Sequence, residues 1–363
     1  MALFKKTGLF SIFVRHWRAV SYVISVIIPA MVRTRRKPVI FSRWGGMGDI
    51  ICSIPAVLEL KKRHPGAKCF YNCDPDFALI PKITEAVDAC THCREIGIVG
   101  HWYRFMLGGF YHFSRGDDSP QSTSKIPMFQ EFCEQFGVPL ARSHPRLPIS
   151  SEALKKVRML LAARGAQEEN LILFHCGPSW PVREWTAGSW AELADGLRRH
   201  GFTNLVQIGL GGYMQSQQTQ PVHHLGSSVD LGKATVQPIP QTISLIGALS
   251  MEESIAAISL AKLLVGIDSG PLHIAACLGT PAVGVFGPTL PKMLFAEKFR
   301  EDFVVSSVDC AGCSHRIPRM HWITGCPYGI KCMQTLEASD VLQACLRRLS
   351  GNTNQFRNAT EVG

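Results

Sequence analysis

Acidic residues are missing from the beginning of this 363-residue chain. The first acid is Asp49, whereas residues 1–37 contain eight Lys and Arg side chains. Of the 38 basic residues in the whole chain, 30 therefore remain for the body, against 28 acidic residues, a net charge of +2 out of the total of +10. Nucleic-acid binding needs a basic face on a folded domain. A nearly neutral body with a basic leader therefore excludes nucleic acid as an expected partner.

The same segment lacks an apolar run long enough to span a bilayer. Its longest uncharged stretch, Ala19–Val32, has 14 residues and includes Pro29, whereas a spanning helix needs about 20 residues. The polar side chains before it recur at helical spacing and form one stripe. We therefore expect residues 1–37 to be a basic amphipathic leader that lies on the cytoplasmic membrane surface. A helix docked on the body, a mobile tail, a signal peptide and a spanning segment are the alternatives.

Internal repeats and low-complexity tracts are absent as well. Short apolar runs alternate with helical patterns, which predicts parallel sheets covered by helices, an α/β fold. The length and the 46% hydrophobic content allow two domains with separate cores. We place one α/β domain at residues 38–165 and a second at residues 166–335. A helix at residues 336–350 is expected to return to the first domain, and a polar tail follows at residues 351–363.

The apolar runs also predict the individual strands. In the first domain, strands are expected at residues 39–43, 68–72 and 96–99, and a long loop at residues 105–127. In the second domain, strands are expected at residues 171–175, 205–208, 263–267, 282–286 and 303–305.

The stretch from Asp268 to His273 predicts a phosphate site. It follows a buried strand directly and opens a helix that has Pro271 in its first turn. In an open α/β sheet, ligands bind at the carboxyl ends of the strands, and the N–H groups of a helix start favour an anion. Ser269 and His273 supply further donors, and the turn with Thr289 after the next strand should open onto the same crevice. The alternative is an ordinary βαβ unit with a capped helix.

Two other strand–loop–helix blocks accompany it. One contains Gly48-Asp49 with Pro55 in the following helix, and the other contains Ser179, Arg183 and Trp185. In this order and spacing, the blocks resemble glycosyltransferase family 9, the bacterial ADP-heptose:lipopolysaccharide heptosyltransferases. The resemblance covers roughly residues 38–348.

The resemblance implies a GT-B-type fold, with two doubly wound Rossmann-like domains facing a cleft. It implies an inverting transfer of a sugar, expected to be heptose, from a nucleotide diphosphate donor, expected to be ADP-heptose, to a lipopolysaccharide-core or related glycan or glycolipid acceptor. Such an enzyme is expected in the cytoplasm, peripheral on the inner face of the membrane. Many members have a donor-binding Glu after the strand that ends at Gly209, but residues 211–218 contain none, so another donor is possible.

Three alternatives remain at this point. One is an enzyme of the same kind that acts on a protein or uses another donor. A second is a nucleotide-sugar epimerase or hydrolase of GT-B architecture. The third is a non-catalytic assembly protein that is anchored by its leader.

The resemblance also assigns roles to residues. Asp49 is implied as the base that accepts the proton of the acceptor hydroxyl, although a helix N-cap is a frequent role for Asp at such a position. Arg183 stands where many members have Lys, so the charge is kept and the geometry differs. We assign no Asp-x-Asp metal site and expect no catalytic metal. The expected donor-binding residues are Gly48, Ser179, Arg183, Asp268, Ser269, Gly270, His273 and Thr289.

Thirteen cysteines are too scattered for a disulfide scaffold in a chain of this size. Four of them, however, lie within 23 residues, namely Cys310, Cys313, Cys326 and Cys332. The first pair has the two-residue spacing of a metal knuckle, and the second pair is wider than in a typical zinc ribbon. We expect this Cys-rich loop at 310–332 to hold a structural zinc or iron. Reduced thiols or disulfides are the alternatives.

Overall fold

The structure of the protein, a computed structural model, describes residues 2–115, 123–177, 179, 181–209, 238–316 and 326–350. It divides into two compact units. The first unit contains residues 1–114 and 129–145, and the second contains residues 115–128 and 146–363. The polar tail expected at residues 351–363 and the segment at residues 211–218 lie outside the described residues.

The first unit is built on a parallel sheet of four strands. Its order is β3-β2-β1-β4, and Val39 of the central strand pairs with both Cys69 and Gly109. The two central strands are buried along their whole length, so their side chains form the core of the unit. The strands are β1 (Val39–Ser42), β2 (Cys69–Asn72), β3 (Ala89–Thr91) and β4 (Gly109–His112).

Among the described residues, the first unit has six α-helices, besides one π-helical turn and short 3₁₀ turns. Helix α3 follows β1 and buries most of one side, including Pro55, in the unit. The helices are α1 (Ala2–Tyr22), α2 (Ile28–Thr34), α3 (Met47–Lys62), α4 (Leu79–Ile83), α5 (Ile96–Trp102) and α6 (Met128–Glu134).

The leader is helical, and one of its faces packs on the first unit. A π-helical turn, Val23–Ile27, joins α1 and α2, and Pro29 is placed just after it, where a proline does not interrupt the helix. The buried face packs against the β1 and α5 regions through Ala19, Tyr22 and Ile27. Among the described residues, Ser11–Thr34 is the one helix that is long and apolar enough to cross a membrane by length and composition. Packing of one face on the first unit leaves the expected membrane contact of the opposite face a prediction.

The second unit is built on a parallel sheet of six strands in the order β10-β9-β8-β5-β6-β7. The central strands β5, β8 and β9 are fully buried, as a sheet covered on both faces requires. The strands are β5 (Ile172–His175), β6 (Leu205–Gly209), β7 (Ile243–Ile246), β8 (Leu263–Ile267), β9 (Ala282–Phe286) and β10 (Val304–Val305).

Helices of the second unit pack on this sheet. Helix α10 begins directly after β8, with Ser269 as its N-cap residue and Gly279 in a left-handed conformation at its end. The helices are α7 (Ser151–Ala163), α8 (Ala187–Arg199), α9 (Met251–Leu260), α10 (Gly270–Leu278), α11 (Lys331–Gln334) and α12 (Ala338–Ser350).

The division into units differs from the expected domains at both ends of the second unit. Helix α7 was placed in the first domain, but it packs on α9 of the second unit. Helix α12 was expected to return to the first domain, but it packs on α8 and β9, and it buries Val341 and Cys345 in the core of the second unit. The amphipathic pattern of α12 requires an apolar neighbour, and the second sheet, with α8, provides one.

One expected strand is wrong, and three strands were missed. Residues 96–99 form the beginning of helix α5, in which Ile96 and Val99 are buried one helical turn apart. The missed strands are β3, β7 and β4, the last of which lies inside the expected loop at residues 105–127. All three are edge strands that are only partly buried, so they lack the apolar run by which the central strands were recognised.

Candidate donor site and candidate base

The carboxyl ends of β5 and β8 form a topological switch point in the second sheet. From β5 the chain proceeds to β6 and β7 on one side, and from β8 it proceeds to β9 and β10 on the other. Loops that leave two neighbouring strands in opposite directions open a crevice between them, where α/β proteins bind ligands. The loop with Arg183 follows β5, and the loop with Asp268 follows β8. The sequence therefore brings these two residues to one place.

Arg183 and Asp268 form an ion pair at this edge. Nε of Arg183 lies 3.3 Å from Oδ2 of Asp268, and Nη1 donates to the carbonyl oxygen of Asp268 at 3.3 Å. The side chain of Arg183 is 23% exposed and that of Asp268 is 5% exposed. The arginine is therefore the outer member of the pair and can meet a ligand. The carboxylate lies beneath it.

Ser269 is held by a histidine that the sequence analysis missed. The Oγ atom of Ser269 lies 2.9 Å from Nδ1 of His175, the last residue of β5. The same hydroxyl donates to the carbonyl oxygen of Ile267 at 3.0 Å. Burial lowers the pKa of His175 to about 4, so the ring is neutral at pH 7. The sequence could have indicated a site residue here, because His175 stands at the carboxyl end of a predicted central strand. Gly270 follows as the first residue of α10.

The other expected donor residues of the second unit have different environments. His273 is buried in α10 and stacks on Phe295, with ring centroids 4.4 Å apart. Thr289 is 2% exposed, and its hydroxyl has no hydrogen-bond partner among the described residues. In the loop after β5, the N–H of Ser179 donates to the carboxylate of Glu184 at 3.2 Å. Among these residues, Thr289 thus has a buried hydroxyl that remains available to donate a hydrogen bond to a ligand.

The Cys-rich loop is attached to the turn that contains Thr289. The N–H of Gly312 donates to the carbonyl oxygen of Gly287 at 2.8 Å, and the N–H of Ser314 donates to that of Pro288 at 2.9 Å. These two bonds carry the following residue, His315, to the donor edge. Burial, together with the positive charges of Arg115 and Arg183, lowers the pKa of His315 to about 3, while Asp268 raises it. The sequence analysis had not assigned His315 to this site.

The four late cysteines are neighbours in space, and all thirteen cysteines of the chain are free thiols. Burial, together with the neighbouring thiols of Cys310, Cys313 and Cys326, raises the pKa of Cys332 to about 11. Four thiols close enough to influence one another are a suitable donor set for zinc or iron, which bind four thiolates tetrahedrally. Among the described residues, however, no three of these sulfurs lie within 4.8 Å of one another, as ligands of one ion would, so the expected structural metal stays a prediction.

Asp49 lies in the first turn of α3, in the first unit. Its Oδ1 accepts from Nη2 of Arg43 at 2.5 Å and from Nε at 3.2 Å. Its Oδ2 accepts the backbone N–H of Gly46, the N-cap residue, at 3.1 Å. Asp49 is therefore not the N-cap itself, although it supports the helix start. Gly48, which was expected to bind the donor, lies next to it in the first unit, whereas the other donor candidates lie in the second.

An Asp-x-Asp spacing does occur in the chain, at Asp74-Pro75-Asp76 after β2. Oδ1 of Asp74 accepts the backbone N–H of Asp76 at 3.1 Å and begins a 3₁₀ turn. Asp74 is thus used as a turn residue.

Two units with parallel sheets, one of which brings an arginine and a helix start together at its switch point, are an α/β arrangement typical of nucleotide-binding proteins. The family model of glycosyltransferase family 9 (heptosyltransferase) matches residues 118–322, which is more than half of the chain. This chain belongs to glycosyltransferase family 9, and it is a glycosyltransferase.

Three relatives illustrate the similarity. Lipopolysaccharide heptosyltransferase 1 of Pseudomonas aeruginosa is 25% identical over 325 residues, which cover 76% of this chain and 85% of that protein. The structure of E. coli ADP-heptose lipopolysaccharide heptosyltransferase II matches with a TM-score of 0.56 at 16% identity, over 86% of this chain and 98% of that one. The iron-containing heptosyltransferase TibC, from enterotoxigenic E. coli, was solved with ADP-D-β-D-heptose. It matches with a TM-score of 0.61 at 16% identity, over 86% of this chain and 76% of that one.

These matches confirm the family resemblance, the GT-B-type α/β fold and the glycosyltransferase activity that the sequence predicted.

Proposed function

We propose that this enzyme transfers a heptose from ADP-heptose to a lipopolysaccharide core or a related glycan acceptor, with inversion at the anomeric carbon. The observation that carries the proposal is the Arg183–Asp268 pair at the switch point of a family 9 chain, beside the Ser269 helix start. A guanidinium and the N–H groups of a helix start both favour a diphosphate. The names of the relatives, which are heptosyltransferases, support heptose as the sugar.

The reaction needs a base and stabilisation of the leaving group. The carboxylate of Asp49 accepts the proton of the acceptor hydroxyl while that oxygen forms a bond to the anomeric carbon. The bond between this carbon and the diphosphate oxygen breaks with its electron pair, and ADP leaves with one more negative charge. Arg183, the N–H groups at Ser269 and Gly270, and the hydroxyl of Thr289 stabilise that charge. The remaining donor-binding candidates, Gly48, Ser179, Asp268 and His273, are proposed to shape the site.

The leader is proposed to bind the cytoplasmic membrane surface, which would make the enzyme a peripheral protein of the inner face. The face of the helix opposite the docked one exposes Phe13, Trp17, Ile24 and Val32. Trp102 and Phe105, in and just after the α5 helix against which the leader packs, are also exposed. Basic residues of the leader can contact anionic lipid headgroups around these apolar side chains. A glycolipid acceptor would lie in the same membrane.

The four late cysteines are proposed to hold one structural zinc or iron. Four thiolates complete the coordination of such an ion, so its role is to join the segments that carry Cys310–Cys313 and Cys326–Cys332. The iron in TibC supports iron as one of the two candidates.

A donor panel tests the main proposal. The purified full-length protein is titrated by calorimetry with ADP-heptose, UDP-glucose and GDP-mannose, and transfer to a purified core acceptor is followed by mass spectrometry. We expect tight binding of ADP-heptose alone, and NMR of the product should show the inverted anomer. Preference for another nucleotide sugar would overturn the proposal that ADP-heptose is the sugar donor. Release of free sugar as the main activity without an acceptor would instead favour a hydrolase or epimerase.

A further inference from the structure

Two polar side chains of the Cys-rich loop are buried without a hydrogen-bond partner among the described residues. Ser314 is 5% exposed and His315 is 7% exposed. Within the part of the chain that the structure describes, neither the hydroxyl of Ser314 nor either ring nitrogen of His315 makes a hydrogen bond. Buried polar groups in native proteins are almost always bonded, and an exception points to a role in another state. The ring of His315 is therefore expected to acquire a partner when the protein changes state.

The position of His315 in the sheet identifies that partner. The ring is held on the turn after β9, and the carboxyl end of β9 lies beside that of β8, which Asp268 follows. The carboxylate of Asp268 and the guanidinium groups of Arg183 and Arg115, all in the second unit, interact electrostatically with the ring. A neutral imidazole carries one N–H donor, and Asp268 is the acceptor among these groups. Asp268 and His315 are both almost fully buried, whereas Arg183 is the more exposed member of the Arg183–Asp268 pair. Arg183 can therefore leave Asp268 toward a ligand, and His315 cannot.

We propose that His315 is the second partner of Asp268 and holds its carboxylate when Arg183 turns to the diphosphate of the donor. The inference rests on the proposed function, because it needs a diphosphate at this edge of the sheet. In the free enzyme, Arg183 compensates the charge of Asp268. In the donor complex, Arg183 bonds to phosphate oxygens, and a ring N–H of His315 donates to the carboxylate. His315 is a positioning residue, since it does not contact the reacting atoms.

Electrostatics explain why the exchange needs a second partner. A carboxylate as buried as Asp268 is strongly destabilised when the guanidinium paired with it is removed. Without His315, the movement of Arg183 would leave this carboxylate unpaired, so the arginine would remain on Asp268 and bind the diphosphate poorly. A hydrogen bond from a neutral ring offsets that loss without adding a charge that would compete for the phosphate.

The Cys-rich loop fixes the position of His315 for this role. Besides the backbone bonds from Gly312 and Ser314 to the turn at Gly287-Pro288, Cys332 packs on the same turn. A Cβ atom at Gly287 would lie 2.8 Å from the Cys332 sulfur. The proposed metal site and the proposed donor site thus share one turn. Disturbing the cysteines should displace His315 and weaken the donor complex.

The test compares ADP binding by calorimetry in the full-length enzyme. His315→Leu removes the N–H and should weaken ADP binding about tenfold, which corresponds to about 1.4 kcal/mol. His315→Gln keeps an N–H donor and should stay within about threefold of the wild type. Asp268→Asn removes the buried charge, so in that background His315→Leu should change the affinity less than threefold. His200→Leu, at the end of α8, is the matched control. Metal content and melting temperature are measured for each variant.

Each result decides one question. Two results would overturn the proposed exchange of Arg183 for His315 on Asp268. One is that His315→Leu binds ADP as tightly as the wild type. The other is that His315→Leu loses as much ADP affinity in the Asp268→Asn background as in the wild type. If the wild type binds neither ADP nor any nucleotide sugar, the proposed function itself fails. Should His315→Leu not fold, a crystal structure of the wild-type ADP complex decides. His315 within hydrogen-bond distance of Asp268, about 3 Å, supports the exchange. Arg183 still paired with Asp268 contradicts it.

Discussion

Arg43 fixes the carboxylate of Asp49 through a contact of 2.5 Å between Nη2 and Oδ1. The other oxygen is fixed by the N–H of Gly46, so the carboxylate is oriented from two sides. Fixed orientation favours proton transfer, because the base need not be ordered during the reaction. An acid with a purely structural role at a helix start would make the same contacts. Kinetics must therefore separate the two roles.

Asp49→Asn should lower turnover by about 10²–10⁴ while ADP binding stays within a few fold. The amide oxygen can still accept from Gly46 or from Arg43, so the variant should fold. Initial rates with saturating donor and calorimetry with ADP check the two parts. Glu59→Gln, a change in the same helix α3, serves as the control. Full activity of pure Asp49→Asn would remove Asp49 as the base.

Arg183→Ala should weaken ADP binding by about 1.5–3 kcal/mol, the value of a charge-assisted hydrogen bond. Arg183→Lys keeps the charge but loses the planar fork, so an intermediate affinity is expected. Calorimetry with ADP is the measurement. Arg158→Ala, at an exposed pair with Glu168 in the same unit, should have no effect. Wild-type affinity in Arg183→Ala would place the diphosphate elsewhere.

The docked face of the leader determines how membrane binding should be tested. Deletion of the leader would expose Ile96, Val99 and Leu107, which pack against it, and could cause aggregation for reasons unrelated to lipid. Trp17→Ser with Ile24→Ser changes only exposed side chains. We expect this double variant to lose most flotation with anionic vesicles and to keep its melting temperature. Undiminished flotation would reject the apolar face as the lipid contact.

Salt and carbonate washes distinguish the in-plane helix from a spanning one. A helix that lies on the surface through basic and apolar side chains should be released by carbonate and weakened by salt. The wild type in native membranes is the sample, and its distribution between pellet and supernatant is the measurement. Resistance to both washes would indicate a spanning segment.

The Cys-rich loop should contain about one zinc or iron per chain. Elemental analysis of protein purified without a histidine tag measures this. Cys332→Ser should lower metal content and melting temperature together, because four thiolates hold the ion. Cys277→Ser, a thiol outside the loop, is the control. Metal-free protein of normal stability would show that these thiols only pack together.

Acid should destabilise the second unit through His175. Its folded pKa is about 4, whereas a His in an unfolded chain titrates near about 6.5. The unfolded chain thus binds more protons between these values, so stability is complete above about pH 6.5 and falls as the pH drops toward 4, by about 2 kcal/mol at pH 5. Melting temperatures at pH 7 and pH 5 should differ less in His175→Asn than in the wild type. An unchanged difference would contradict a neutral buried ring.

The sequence predicted the central strands well, because residues buried on both faces leave continuous apolar runs. It could not predict edge strands such as Gly109–His112, whose residues are only partly buried and whose pairing depends on a neighbour distant in the chain. The same reason explains helix α12. The sequence shows the apolar face of α12. The unit on which that face packs depends on the tertiary structure and could not be predicted.

The sequence predicted those residues of the candidate donor site that come soon after a predicted strand in the chain. Asp268 and Ser269 follow β8 directly, and Arg183 lies in the loop after β5, so their convergence follows from the pairing of these two parallel strands. His315 was missed because it is brought there by two backbone hydrogen bonds from a loop to a turn, and no periodicity in the sequence reports such bonds. His175 could have been found from its position at the end of β5.

The order of the second sheet also determines when a nucleotide can first bind during synthesis. Strand β5 pairs with β8, which lies some 90 residues later in the chain, and His315 comes from a segment that follows all six strands. Long-range parallel pairing of this kind forms late in folding. A growing or truncated chain that ends before the Cys-rich loop therefore lacks His315, one member of the proposed nucleotide site. Donor affinity would consequently report that the chain from β5 to the Cys-rich loop has been made and folded.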